Sequence, residues 1–231
     1  MIFPALAGLR LSSVSLVMVA ALMALALGGI GLAAQSAPPR RLLPVDQAAS
    51  QPDFFTFRAQ LFTAIARRDA AMLMAVVHPD IKNGFGGDDG KANFEAKWRP
   101  GDANSDVWPE LAAVLALGGT FESAETFIAP YVFSRWPTGV DSYEHVAVVG
   151  DRVRIRTAPR ADAEVAGVSS FEIVPLARQS GDTSEGWTAV RLSATRIGYV
   201  ASRFVRSPIG YRAFFSKQDG RWQMLMFLAG D

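Results

Sequence analysis

The segment of residues 153–205 constrains the fold of this chain more than any other. Short runs in which apolar and polar residues alternate follow one another here, and turn residues separate them. The runs cover residues 153–157, 171–176, 186–190 and 198–205. Alternation with a period of two is typical of β-strands that bury one face, whereas an amphipathic helix has a period of about 3.6. The segment therefore predicts a small, strongly bent β-barrel.

Three blocks of this segment form a recognisable pattern. Val-x-Ile-Arg-x-x-Pro occupies residues 153–159, Trp-x-x-Val residues 187–190 and Gly-Tyr-Val residues 198–200. In type and order these blocks resemble those of bacterial SH3 (SH3b) domains. Two features depart from that pattern: Ala158 stands where glycine is common before the proline, and residues 178–186 form a longer connection than usual.

The resemblance implies an SH3-like barrel over residues 141–206 and a binding role. SH3b domains commonly accompany cell-envelope hydrolases and help them to bind peptidoglycan or peptides. No catalytic partner for such a domain is visible, because the chain has no cysteine and its two histidines, His78 and His145, are far apart. Cysteine peptidases need Cys and His, and zinc amidases need several close ligands. We therefore expect no enzymatic activity, no cofactor and no metal.

The candidate ligand-binding residues are arginines of the first predicted strand and nearby aromatics. Arg152, Arg154 and Arg156 alternate on one strand face, with Arg160 close by. Arginine forks match carboxylates and phosphates, so this face can engage wall peptides, phosphate headgroups or an acidic protein. The alternative is an ordinary solvated strand face. The aromatic candidates are Trp187, Tyr199 and Tyr211, and barrel core is the competing interpretation of the first two.

The first 34 residues have the features of an export signal. No charged residue occurs over residues 11–34, Arg10 precedes that run, and small residues end it. These features favour cleavage near Ala34. The run is also long enough to span a bilayer, so an anchor in the inner membrane is the alternative. We expect an exported protein of the periplasm or cell envelope that contacts a membrane only through this segment if it stays uncleaved.

Charge and composition limit the partners of the remaining chain. Without residues 1–34, basic and acidic residues are equal in number. Balanced charge gives no reason to expect nucleic acid as a partner. Residues 35–52 are rich in Ala, Pro, Ser and Gln, and this composition predicts a flexible linker.

Residues 53–140 predict a mainly helical region. The spacing over residues 53–77 indicates an amphipathic helix or a helix pair, with Asp53 as its N-cap and His78-Pro79 as its stop. A further helix is predicted over residues 107–117. After it, residues 127–133 and 143–149 have strand-like patterns.

The C-terminal residues 207–231 predict a β-hairpin. Strand-like runs cover residues 209–216 and 221–228, and the Asp219-Gly220 pair between them favours a tight turn. This hairpin lies outside the SH3b pattern, so we expect it to bury its apolar face against the helical region. The predicted class is therefore α+β, with a small SH3-like barrel between a helical region and the hairpin.

The most unusual loop, Gly-Phe-Gly-Gly-Asp-Asp-Gly-Lys at residues 84–91, lacks the pattern of known ion or phosphate loops. A phosphate-binding loop needs other residues at two positions, and a calcium loop needs acids at alternate positions. We interpret it as a structural turn in which Asp88 or Asp89 caps the following helix, which carries Phe94 and Trp98. A metal or ligand loop is the minority alternative.

The sequence thus favours an exported, non-enzymatic cell-envelope protein whose SH3b domain binds cell-wall peptide or glycan, or a protein partner. One alternative is an envelope hydrolase with an acidic site between the helices and the hairpin, using Asp88, Asp89 or Glu95. The other is a structural or scaffolding protein, for which we expect a filled SH3b groove.

Overall fold

The computed structural model describes residues 40–177 and 185–230. Within these residues the chain forms both helices and strands. These residues belong to one unit, Pro39–Asp231. The α+β class predicted from the sequence is confirmed. The apolar run of residues 11–34 lies outside the described residues, and within them no helix combines the length and apolarity needed to cross a membrane.

Two helices form the predicted helix pair. Helix α1 spans Pro52–Arg67 and helix α2 spans Ala70–Val76. The helical conformation is interrupted between them at Arg68, which has a left-handed φ of 52°. The Asp69 side chain caps α2 by accepting a hydrogen bond of 3.0 Å from the Met72 N–H.

Asp53 is not the N-cap of α1, and this prediction was wrong. Gln51 occupies the cap position and Pro52 begins the helix, where its missing N–H leaves no bond unmade. Asp53 instead accepts hydrogen bonds from Lys217 Nζ at 2.7 Å and Trp222 Nε1 at 3.0 Å. It therefore links the first helical turn to the C-terminal strands.

Asn83 organises the glycine-rich loop. Its side-chain amide donates to the carbonyl oxygens of Asp88 at 2.8 Å and Gly90 at 2.9 Å, and its N–H donates to Asp89 Oδ1 at 3.2 Å. Helix α3 (Lys91–Trp98) follows Gly90, whose φ of 101° is accessible to glycine. The predicted capping by Asp88 or Asp89 is wrong, because Gly90 is the N-cap and no side chain caps the helix.

Helix α4 (Val107–Ala116) lies where the sequence predicts a helix, and a short helix α5 (Tyr131–Ser134) lies where it predicts a strand. Strand β3 (Thr126–Ala129) precedes it, and Pro130 then forms the N-cap of α5. Since proline cannot donate to a strand ladder, the strand cannot continue through this position in the sheet interior.

A five-stranded sheet has the order β1-β12-β11-β3-β2. Its strands are β1 (Val77–Lys82), β2 (Thr120–Ser123), β3 (Thr126–Ala129), β11 (Arg212–Gln218) and β12 (Arg221–Leu228). β1 runs parallel to β12, and the other pairs are antiparallel. Asp219 and Gly220 form the tight turn between β11 and β12 with φ values of 49° and 74°.

Strand β1 begins directly where α2 ends. His78 and Pro79, predicted as a helix stop, are residues of this strand. A proline is tolerated there because β1 is an edge strand of the sheet.

The main core lies between the helices and this sheet, and we call this part the large lobe. Phe54 of α1 lies at its centre, with its ring centroid 4.2 Å from that of Phe127 and 4.8 Å from that of Trp222. Other buried members are Leu61, Leu73, Ile81, Phe94, Leu111, Phe215 and Phe227. The C-terminal strands therefore bury their apolar face under the helices.

Two small sheets lie between α5 and β11 in the chain, and we call residues 145–206 the small lobe. Their orders are β10-β4-β7 and β6-β5-β9-β8. The strands are β4 (His145–Val148), β5 (Val153–Arg156), β6 (Val165–Ser169), β7 (Ile173–Pro175), β8 (Trp187–Arg191), β9 (Ile197–Ala201) and β10 (Val205–Arg206). Both sheets are open as far as the described residues show, and residues 178–184 of the long connection lie outside these.

The predicted flexible linker is instead a structured segment over its described part. Residues 40–48, which we call the strap, run along the small lobe and then the large lobe. On the small lobe, the Leu42 N–H donates to the Phe171 carbonyl oxygen at 2.7 Å. The linker prediction was wrong here because composition does not register such long-range backbone pairing.

On the large lobe, an ion pair fixes the strap. Both Asp46 carboxylate oxygens accept from the Arg58 guanidinium, at 2.7 and 2.8 Å. Arg58 is only 9% exposed, so its charge requires a partner. The Gln47 N–H also donates to the Gly119 carbonyl oxygen at 2.9 Å.

The two lobes also meet directly. Arg206 of β10 donates to Glu110 Oε1 of α4 at 3.1 Å and to the Tyr211 carbonyl oxygen at 2.7 Å. An apolar cluster at the junction contains the buried residues Leu42, Tyr131, Val132 and Ala147.

The substitution Asp53→Asn tests the link between α1 and the C-terminal strands. Hydrogen bonds from Lys217 and Trp222 lower the pKa of Asp53 from 3.8 to about 2. A lowered pKa stabilises the fold above the unfolded value, and this stabilisation is lost as the pH falls from about 4 to 2. Because the carboxylate is half-exposed, we expect a loss of about 1 kcal/mol in unfolding free energy at pH 7, and none near pH 2, by urea denaturation.

The matched control is Asp80→Asn, since Asp80 is exposed on β1 and its side chain forms no hydrogen bond among the described residues. Equal losses in the two variants would contradict the role given to Asp53.

The substitution Asp46→Ala tests the strap. It leaves the Arg58 charge without its partner, so we expect the free energy of unfolding to fall by about 2 kcal/mol. Amide hydrogen exchange at Leu42 should accelerate as well, since its bond to the small lobe depends on the strap. The control is Asp162→Ala, which removes an exposed ion pair with Arg160 and should cost about 0.5 kcal/mol or less. Unchanged exchange at Leu42 in Asp46→Ala would overturn this role of the ion pair.

Candidate functional site

A cavity of about 480 Å³ lies on the small lobe beside β5, and we call it the arginine groove. The charged and aromatic side chains that line it are Arg152, Arg154, Arg156, Arg203, Asp151, Trp187 and Phe204. Four arginines therefore line one cavity together with one acidic and two aromatic residues.

Strand β5 presents its arginines to the groove because its apolar residues face inwards. Val153 and Ile155 are buried in the core of the small lobe, so Arg154 and Arg156 point to the opposite face. Arg156 is oriented by a hydrogen bond of 2.7 Å from Nη1 to the Ala163 carbonyl oxygen. Arg154 is exposed, and its side chain forms no hydrogen bond or ion pair within residues 40–177 and 185–230. As far as these residues show, its guanidinium keeps its donors for a ligand.

Arg152 reaches the groove from a turn in front of β5. Its backbone is left-handed, with a φ of 49°. The Arg152 N–H donates to Ser170 Oγ at 2.8 Å, and that hydroxyl donates to Asp151 Oδ1 at 2.7 Å. Among the described residues, Asp151 is the only acid that lines the groove, so the groove carries a net positive charge.

Aromatic surface adjoins these charges. Trp187 begins β8 and is half-buried. The guanidinium carbon of Arg203 lies 4.9 Å from the centre of the Phe204 ring, within the range of a cation–π contact. A ligand with an acidic group next to an apolar part fits this combination of side chains.

The five predicted binding residues do not form one cluster. Arg154, Arg156 and Trp187 lie together in the groove. Tyr199 lies on β9 opposite Arg156, half-buried, and does not line the cavity. Tyr211 lies in the large lobe.

Tyr211 contributes to a second cleft of about 290 Å³. Its ring stacks on Phe227 at a centroid distance of 5.2 Å and meets Trp98 edge-on at 5.1 Å. Burial and the nearby Glu110 carboxylate raise the pKa of Tyr211. It is thus a residue at the edge of the large-lobe core, separate from the groove.

Arg203, Phe204 and Asp151 are groove residues that sequence reasoning missed. The first two belong to a single turn, Ser202–Phe204, directly after β9, and Asp151 comes shortly before β5. Their position beside the matched strand blocks could have indicated them in the sequence, because loops at strand ends often carry binding residues.

The acids considered for proton transfer lie on the surface of the large lobe. Asp88 and Asp89 approach Lys97 and Lys82 at 4.0 and 3.6 Å, and Glu95 is exposed. None of the three lines the groove, the Tyr211 cleft or the junction cavity described below.

The two histidines are engaged in local contacts. His78 Nε2 lies 2.9 Å from Gln218 Oε1, and His145 Nδ1 lies 3.0 Å from the Asp141 carbonyl oxygen. The part of the chain that the structure describes contains no group of three or more His, Asp or Glu side chains suited to a metal ion.

A third cavity, of about 340 Å³, lies at the junction of the strap, the end of α4 and α5. Tyr131 lines it and is 1% exposed. Its hydroxyl has no hydrogen-bond partner among the described residues. Burial raises the pKa of Tyr131 to about 12.

No family is assigned by comparison. Neither models of protein families, nor curated proteins, nor solved structures match the chain significantly.

The substitution Tyr131→Phe tests the burial of the Tyr131 hydroxyl in the junction cavity. Removing an unpaired buried hydroxyl should leave the free energy of unfolding at pH 7 unchanged or raise it by about 1 kcal/mol. A raised pKa leaves stability intact below pH 10 and lowers it as the pH rises towards 12, since only the unfolded chain ionises readily there. The variant should therefore lose less stability than the wild type over that range in urea denaturation. A clear loss of stability at pH 7 would show that the hydroxyl is bonded.

Proposed function

We propose that this chain is an exported, non-enzymatic protein of the cell envelope whose small lobe is an SH3b-like binding domain. Its ligand is an anionic group of cell-wall peptide or glycan, or of an envelope protein. The observation that carries the proposal is the convergence of four arginines and Trp187 on one cavity.

The strand pairings support an SH3-like barrel. Strand β5 pairs with β6 and β9, and β9 pairs with β8. β8 meets the end of β7 through a bridge between Leu176 and Val190. Residues 170–172 connect β6 to β7, and with this connection the two sheets would close into a ring. Closure of a sheet requires the strands to tilt and their register to stagger.

The chemistry of the groove supports an acidic ligand. Arginine forks bind carboxylates and phosphates through two parallel hydrogen bonds, and these are stronger than neutral hydrogen bonds. Arg156 is held in place by the Ala163 carbonyl, so little side-chain entropy is lost when it binds. Trp187 adds a flat apolar surface for the non-polar part of the same ligand.

The location rests on the N-terminal sequence. The uncharged run of residues 11–34 after Arg10 is suited to export, and cleavage near Ala34 would release the protein. An envelope location would bring the groove close to wall peptides and envelope proteins, both of which carry carboxylates.

Sedimentation with purified cell-wall sacculi tests the proposal. The full chain in mild non-ionic detergent should sediment with sacculi, or cross-link to a defined envelope protein, and 0.5 M salt should weaken the association. Arg154→Gln removes a charged donor that has no structural bond, so we expect about tenfold weaker binding. Trp187→Ala should weaken binding by a similar factor.

The matched control is Arg191→Gln, which removes an exposed arginine of β8 outside the groove. Its binding should equal that of the wild type. The proposal fails if neither sacculi nor envelope proteins bind the wild type, or if Arg154→Gln and Arg191→Gln bind equally well.

A further inference from the structure

We infer that the arginine groove recognises an extended acidic segment of a protein in which carboxylates alternate with aliphatic residues. This inference rests on the proposed function, because it specifies the ligand of the same groove. Its basis is the spacing of the arginines and the identity of the residues beside them.

The spacing of the arginines matches the repeat of an extended peptide. Arg154 and Arg156 lie two positions apart on β5, and side chains of one strand face repeat at about 7 Å. Arg152 lines the same cavity from the preceding turn. An extended peptide with acids at every second residue repeats its carboxylates at the same interval. Such a peptide can therefore offer one carboxylate to Arg154 and one to Arg156 and bring a third towards Arg152.

The second step is the charge balance of the groove. The side chains of Arg152 and Arg154 form no hydrogen bond or ion pair with any other described residue, whereas Asp151 is occupied by Ser170. Two guanidiniums thus have unused donors. A ligand with two or three carboxylates can offer a separate partner to each of them, whereas a single carboxylate has to be shared.

The third step is the apolar border of the arginine row. Val168 of β6 is the register partner of Arg154, and Val165 is that of Arg156. Cross-strand partners share a sheet face, and these two valines are 56% and 43% exposed. Aliphatic side chains next to the acids can cover this border. Nucleic acid offers no aliphatic side chains for this border.

The fourth step is length. The arginine row extends over residues 152–156, so a ligand that contacts all of it needs about five residues in an extended conformation. A protein segment supplies this length together with aliphatic side chains for the border formed by Val165 and Val168, and a glycan does not supply such side chains. The groove therefore favours a protein partner over wall glycan.

The test compares three blocked peptides by isothermal titration calorimetry with the full chain in non-ionic detergent. The first has the sequence Glu-Val repeated three times. The second has the same composition in the order of three Glu and then three Val. The third has Gln in place of every Glu. We expect the alternating peptide to bind at least about tenfold more tightly than either of the others.

Variants tie this binding to the groove. Arg154→Gln and Arg152→Gln should each weaken binding of the alternating peptide by about tenfold, and Arg191→Gln should leave it unchanged. Val168→Ser should weaken binding of the alternating peptide more than binding of a short polyglutamate, because polyglutamate has no aliphatic residues.

The possible outcomes separate this inference from the proposed function. Equal binding of the two glutamate peptides, still dependent on Arg154, overturns the spacing argument and leaves an anion-binding groove. The inference of a protein partner is overturned if sacculi or a single-stranded oligonucleotide bind in an Arg154-dependent way and the peptides do not bind. If neither sacculi, envelope proteins nor peptides bind, both the inference and the proposed function fail.

Discussion

The path of the strap between the two lobes depends on the need to neutralise one buried charge. Arg58 of α1 is only 9% exposed, so its guanidinium needs a partner of opposite charge. Asp46 meets it with both carboxylate oxygens. Because a buried arginine without a partner is costly, this pair fixes the path of the chain before α1. The strap then remains in register with the small lobe at Leu42.

The groove is shaped by a different constraint, the alternation of side chains along β5. Burial of Val153 and Ile155 forces the intervening arginines to one face, and the turn at Arg152 adds a third guanidinium to them. The small lobe thereby concentrates positive charge in a chain whose overall charge is close to balanced. Local charge, not net charge, is therefore the property that relates to a ligand here.

Much of the fold and part of the groove could be predicted from the sequence, because the signal for them is local. The helix pair, α4 and the Asp219-Gly220 turn follow from periodicity and turn chemistry, and the arginine face of β5 follows from strand alternation. Prediction failed where partners are distant in sequence. Asp53 bonds Lys217 and Trp222 instead of capping its helix, the strap pairs with Phe171, and Arg203 joins the groove from another strand end. Neither composition nor spacing encodes these contacts in a form that a single sequence reveals.

The strap has a mechanical consequence. Because Leu42 and Arg40 bond directly to the segment that precedes and forms β7, a force applied between residue 40 and a ligand held in the groove reaches the small lobe through these backbone hydrogen bonds. The ion pair between Asp46 and Arg58 lies further along the strap and ties it to the large lobe. A pull on the bound partner would therefore load the backbone hydrogen bonds between the strap and the segment before β7 ahead of this ion pair.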